Sequence, residues 1–212
     1  VSSTMQLARD ERTEFAEFLD GLTPQQWDSP TLCGDWRVRD VAAHVIGYDA
    51  LSRGETIRRM AKGLVTRGGA NAVGVAEDAG KQPGELIALF RRYAEPRGLT
   101  TGFGGRIALA DGMIHQQDIR RSLGLPRVIP PDRLRVVLNF AIWAPPLRGA
   151  LRTRGVRLVA TDLDWSWGRG PEVRGPGEAV LMAMAGRGAA LTDLDGPGKD
   201  RLAGRLSPRS VR

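Results

Sequence analysis

Histidine and cysteine are scarce in this 212-residue chain, which has two of the first and one of the second. A single cysteine, Cys33, excludes an internal disulfide framework and fits a reducing cytoplasm. No apolar run approaches the ~20 residues needed to span a bilayer, so no membrane helix is expected. The first ten residues, Val1 to Asp10, lack the apolar core of a secretion signal. Lysine is rare, and the net charge of +7 is carried almost wholly by arginine. Those arginines are scattered, except in a tail with Arg201, Arg205, Arg209 and Arg212 that reads as a solvated end. No basic stripe interleaved with aromatics is present, so no nucleic-acid partner is expected. The positive field suits acidic small molecules instead. Internal repeats and coiled-coil heptads are absent.

What remains is ordinary for a globular protein, with 42% hydrophobic and 26% charged residues. Helical spacing runs from Met5 to Leu22 through Leu7, Phe15, Phe18 and Leu19. Thr23-Pro24-Gln25-Gln26 is a capping-box pattern for a short second helix. After a loop from Ser29 to Asp35, a long helix is expected from about Val38 to Lys62, with Asp35 as its cap. The Gly-rich stretch from Gly63 to Asp78 reads as a loop or frayed helix. Further helices are expected over Pro83 to Tyr93, Ile107 to Leu123 and Pro131 to Ile142. The character then changes. Val156 to Thr161, Trp165 to Gly168 and Glu172 to Gly175 have strand composition, and an apolar helix follows from Glu178 to Gly186. A boundary is therefore placed near residues 148–154, dividing a helical domain (1–150) from a small α/β domain (151–212). The five tryptophans (Trp27, Trp36, Trp143, Trp165, Trp167) are expected to pack in cores, and Cys33 to be an inert loop thiol.

Both histidines fall beside the apolar side of predicted helices. His44 borders the stripe Val38, Val41, Val45, Tyr48. Asp111, His115, Asp118 and Ser122 share one helix face, with Ile107 and Ile114 beside them. A polar stripe next to a core is costly unless it is paired or binds something. Asp111 and His115, one helical turn apart, can both reach one ion, with His44 as a third ligand from another helix. Three N/O ligands with an open fourth position is a catalytic zinc arrangement. Asp118 would hold the His115 ring from behind. The bland alternative is that the histidines are hydrogen-bonded packing residues and the aspartates face solvent.

Three blocks carry a resemblance. The first is Leu22 to Trp27, Pro30 to Cys33 and Trp36 to His44. The second is Asp111-x3-His115-x2-Asp118. The third runs from Val156 to Pro176. In this order they resemble the mycothiol-dependent maleylpyruvate isomerase family. The resemblance implies a mainly α fold: a DinB-like four-helix bundle followed by a small α/β C-terminal domain. It implies a divalent metal, usually zinc, held by His44, Asp111 and His115. Asp111 stands where the family usually has Glu, one methylene longer, and Gly112 beside it is expected to make that turn more yielding. The resemblance further implies mycothiol as cofactor, with Arg187, or Arg174 in its place, as an arginine near the site. Asp118 and Arg187 would take part in catalysis. The expected function is that of a cytoplasmic S-transferase or cis–trans isomerase that turns a small-molecule thiol on an electrophilic substrate. The bundles of this family often dimerise, which leaves a homodimer open. A non-catalytic metal-binding stress or regulatory protein is the alternative.

Overall fold

The first helix, α1 (Thr4–Asp20), starts where the Ser3 side chain accepts the Gln6 N–H, and it buries Leu7, Ala8, Phe15, Ala16 and Leu19. In this computed structural model residues 2–206 are described; Arg209 and Arg212 of the tail lie outside them. The predicted capping box opens α2 (Pro24–Trp27): the Gln26 side chain accepts the Thr23 N–H, and Thr23 Oγ1 accepts the Gln26 N–H.

The long helix expected from Val38 to Lys62 is two helices, α3 (Val38–Ile46) and α4 (Arg53–Gly63). Asp35 is not the cap of α3; Asp40 reaches back to accept the Arg37 N–H at 2.9 Å. Between the helices the chain turns, and Ser52-x-x-Glu55 restarts it with a second capping box. The Gly-rich stretch after Gly63, read as a loop or frayed helix, contains a helix, α5 (Gly69–Asp78), which packs on α4 and α3. Arg59 of α4 fastens this hairpin, donating to Gly47 O and pairing with Glu77. Gly47 leaves room for it: a Cβ there would lie 2.7 Å from Ala43 O and 3.3 Å from Arg59 Nη1.

Helix α6 (Pro83–Arg92) and helix α7 (Arg106–Leu123) complete the bundle, with a 3-10 turn at Gly98–Thr101 between them. Helix α1 packs on α6 and α7, and α3 packs on the same two, which closes a four-helix arrangement. Phe15, Leu19, Trp27, Val41, Val45, Ile46, Leu86, Phe90 and Ile119 meet in its core.

Packing divides the chain between Arg127 and Val128. That division comes earlier than the change of character read near 148–154, because α8 (Pro131–Trp143) and α9 (Gly149–Arg152) pack with the apolar helix α10 (Gly177–Met184). The second unit holds one three-stranded sheet among the described residues. Strand β1 (Arg157–Ala160) is central, antiparallel to β2 (Ser166–Gly168) and parallel to β3 (Glu172–Gly175). Helix α10 is buried at every residue but Glu178 and lies against β1 and β3. A 3-10 segment (Gly188–Asp193) and α11 (Lys199–Leu206) follow. Trp27 and Trp165 are buried as expected, whereas Trp143 and Trp167 are exposed. No described helix is long and apolar enough to cross a membrane.

Candidate metal centre

Helices α3 and α7 lie against each other in the first unit, and each turns polar residues towards the other. His44 occupies the last turn of α3 and is buried with the apolar residues around it. On α7, a turn separates Asp111 from His115, so both side chains leave the same face.

The three side chains converge. His44 Nε2 lies 3.4 Å from Asp111 Oδ1, and His115 Nε2 lies 3.5 Å from the same oxygen. All three offer a ligand atom within 4.8 Å of one another. The edges of a tetrahedron built on bonds of about 2.0–2.2 Å are roughly 3.3–3.6 Å, so the spacing fits a zinc-sized cation. Both histidines are buried, while the Asp111 side chain is 31% exposed, so solvent reaches the cluster at the carboxylate. Asp111 spans the gap despite being shorter than Glu. Helix α7 runs unbroken through Gly112, and a Cβ at that position would meet only Glu11 Cγ, at 3.5 Å. The expected yielding at Gly112 is therefore not used.

The rings are held in place. The His115 Nδ1 lies 3.0 Å from Asp118 Oδ2, and Asp118 is fully buried. That bond keeps a proton on Nδ1 and turns Nε2 towards Asp111. Trp36 lies against the His44 ring at a tilt of 44°, with 5.1 Å between centroids, and His44 meets His115 edge-on at 4.8 Å. His44 Nδ1 is buried without a hydrogen-bond partner, an uncompensated polar atom at the heart of the cluster.

The same geometry perturbs two groups. Burial alone would push the Asp111 carboxyl up, but His44, His115 and the more distant Arg12 together bring it down to about 2. Burial disfavours the charged form of His115, yet Asp111, the Asp118 hydrogen bond and the adjacent Cys33 raise it to about 10. These are the values expected when a proton, rather than a metal, links the two groups.

Several neighbours of the site were not anticipated from sequence. Cys33, read as an inert thiol with nothing basic nearby, stands against the His115 ring. Tyr48 lies one turn past His44 and donates to Asn71 at 2.9 Å. Burial raises its phenol, with Arg59 opposing and Asp111 adding to the rise. Arg12 and Asp49 form a buried bidentate pair at 2.7 and 2.8 Å. Arg12, a charge set between Ala8, Phe15 and Ala16 on the buried face of α1, was the signal for that pair. The C-terminal candidates are more modestly placed. Arg174 is exposed on β3 and pairs with Glu172 at 2.6 Å. Arg187 follows the end of α10 and donates to Ala185 O at 2.9 Å.

Residues 8–98 match the family described as the mycothiol maleylpyruvate isomerase N-terminal domain, a segment that includes His44 but stops short of α7. Among solved structures, the chain resembles a crystal structure of the mycothiol-dependent maleylpyruvate isomerase. The identity is 16%, the TM-score 0.57, and the alignment covers 92% of each chain. A histidine-to-alanine mutant of the mycothiol-dependent maleylpyruvate isomerase is similar at 14% identity and a TM-score of 0.55, again over 92% of each chain. These likenesses establish a shared fold. No match to a curated protein was found.

Proposed function

We propose that the chain, whose residues 8–98 match the mycothiol maleylpyruvate isomerase N-terminal domain, is a metal-dependent enzyme that uses mycothiol on an electrophilic small molecule. The observation that carries this reading is the meeting of His44, Asp111 and His115 at 3.4 and 3.5 Å, with His115 backed by buried Asp118. His44, Asp111 and His115 are the proposed ligands of a divalent metal, zinc by its preference for this donor set. When bound, the metal supplies a Lewis acid that favours the ionised form of a thiol near neutral pH.

The chain's own residues prepare the site. Asp118 accepts from His115 Nδ1, so that a bound metal would displace a proton from Nε2 and meet the ring there. Trp36 packs its ring against that of His44. One carboxylate and two neutral imidazoles carry a single negative charge, so a divalent cation leaves the site net positive and receptive to a thiolate. The proposed reaction is transfer of the thiol sulfur to an electrophile, or its reversible addition to an activated double bond that permits cis–trans isomerisation. Arg187 remains the proposed anion-holding arginine, with Arg174, exposed on β3, second. Such chemistry suits the reducing cytoplasm, where a low-molecular-weight thiol stays reduced.

Elemental analysis of the purified protein beside His44→Ala and His115→Ala tests the site, and mycothiol consumption with a model electrophile tests the activity. One zinc per chain, lost in both variants together with thiol consumption, is the expected result. Metal retained by both variants would refute the ligand assignment. Metal without thiol consumption would favour a non-catalytic metal-binding protein.

A further inference from the structure

A second set of ligand atoms adjoins the first. Cys33 Sγ, a His115 ring nitrogen and an Asp118 carboxylate oxygen all lie within 4.8 Å of one another. The two sets meet at one ring. The His115 Nε2 faces Asp111 at 3.5 Å, and Nδ1 faces Asp118 at 3.0 Å.

Cys33 is presented by a rigid turn. Its N–H is donated to Thr31 Oγ1 at 3.1 Å, and its carbonyl accepts the Trp36 N–H at 3.2 Å. Thr31 Oγ1 in turn donates to Trp36 O at 2.8 Å, and Pro30 and Arg37 form a bridge across the base of the turn. Leu32 N–H reaches α7 itself, donating to Asp118 O at 3.3 Å. The loop is thus tied to the residue whose carboxylate completes the cluster, and the thiol has little freedom to move away.

The donor sets differ in kind. The first offers two nitrogens and an oxygen; the second offers a sulfur, a nitrogen and an oxygen. Thiolate ligands select thiophilic cations such as cadmium, mercury or zinc in excess. Thiolate and carboxylate together carry two negative charges, matching a divalent ion.

We propose that Cys33, His115 and Asp118 form a second cation site for thiophilic metals, joined to the first through the His115 imidazole. The cation takes the place of the proton between His115 Nδ1 and Asp118. Its entry releases that proton and the Cys33 thiol proton to solvent. Asp118 then ceases to orient His115 for the first site, so thiophilic metals act as inhibitors through the ligand that the two sites share. The proposed cation binding does not depend on thiol-transfer activity; it shares His115 and Asp118 with the reading above.

Cadmium titration of chelator-stripped protein provides the test, followed by equilibrium dialysis and by the ultraviolet thiolate-to-cadmium charge-transfer absorption. Wild-type protein is expected to bind two equivalents and to show the thiolate band. Cys33→Ser is expected to lose the band and one equivalent. His44→Ala, which leaves all three second-site ligands in place, is expected to keep the band while losing the other equivalent. Absence of the band from wild-type protein overturns the proposal. A band lost in His44→Ala also overturns it, because Cys33 would then belong to the first site. A band in the wild-type protein and in His44→Ala, with no cadmium bound by Cys33→Ser, removes the first site and leaves the second standing.

Discussion

At the scale of single residues, His115 does the most. It offers one nitrogen to Asp111 and the other to Asp118, and its orientation follows from a buried carboxylate one turn away. A metal and a proton compete for the same face of this ring. In metal-free protein the pair is held by the protonated His115 and the ionised Asp111. His115 is raised from 6.5 to about 10, so its contribution to stability is complete below the lower value and lost as pH rises through the upper one. Asp111 is lowered from 3.8 to about 2, so its contribution is present above 3.8 and lost as pH falls through 2. Chelator-treated protein is therefore expected to lose stability between neutrality and pH 10, while zinc-loaded protein holds its stability over that range. Denaturation midpoints against pH measure this, and equal slopes for the two forms would contradict the pairing. The types and spacing of these residues were legible in the sequence, since Asp111, His115 and Asp118 lie at helical intervals. Cys33 was not, because its partner stands on a helix far along the chain.

Among the elements, the clearest lesson is the break between α3 and α4. Apolar residues continue past Ile46, and that continuity hid the turn. The stop signal was present in Ser52-x-x-Glu55, where Ser52 Oγ accepts the Glu55 N–H and Glu55 accepts the Ser52 N–H at 2.8 Å. Ser52→Ala is expected to destabilise the α4–α5 hairpin by about 1 kcal/mol. Hydrogen exchange confined to residues 52–79 would register it, and unchanged protection there would show that Arg59 alone holds the hairpin. The end of α10 was legible for the opposite reason. Gly186 has φ +89°, Arg187 N–H returns to Met182 O and Gly186 N–H to Ala183 O, a Schellman closure that glycine favours. That closure decides where Arg187 leaves the helix.

Across the first unit, the buried Arg12–Asp49 pair binds distant parts of the chain. Arg12 also donates to Tyr93 O at 2.8 Å, and Asp49 accepts from the Arg97 N–H and Thr100 Oγ1 at 2.7 and 2.8 Å. This network joins α1, the turn after α3 and the segment leading to α7. Asp49→Ala leaves the Arg12 charge buried and unpaired, which costs about 3–5 kcal/mol. Against a typical stability of about 5–15 kcal/mol that is a large share, and urea denaturation is expected to show it. A loss below about 1 kcal/mol would mean that water reaches Arg12 freely.

The sequence by itself determined the helices of the bundle, the strand-rich second part and the faces on which His44, Asp111 and His115 stand. These follow from local periodicity and capping, which depend on neighbours within a few residues. Only the tertiary structure decided that α3 ends at Ile46, that α8 packs with the second unit, and that Cys33, Asp49 and Arg12 gather around the bundle's polar residues. Each of these depends on packing between segments tens of residues apart, where the burial of a charge or a ring is settled by partners that no local pattern contains.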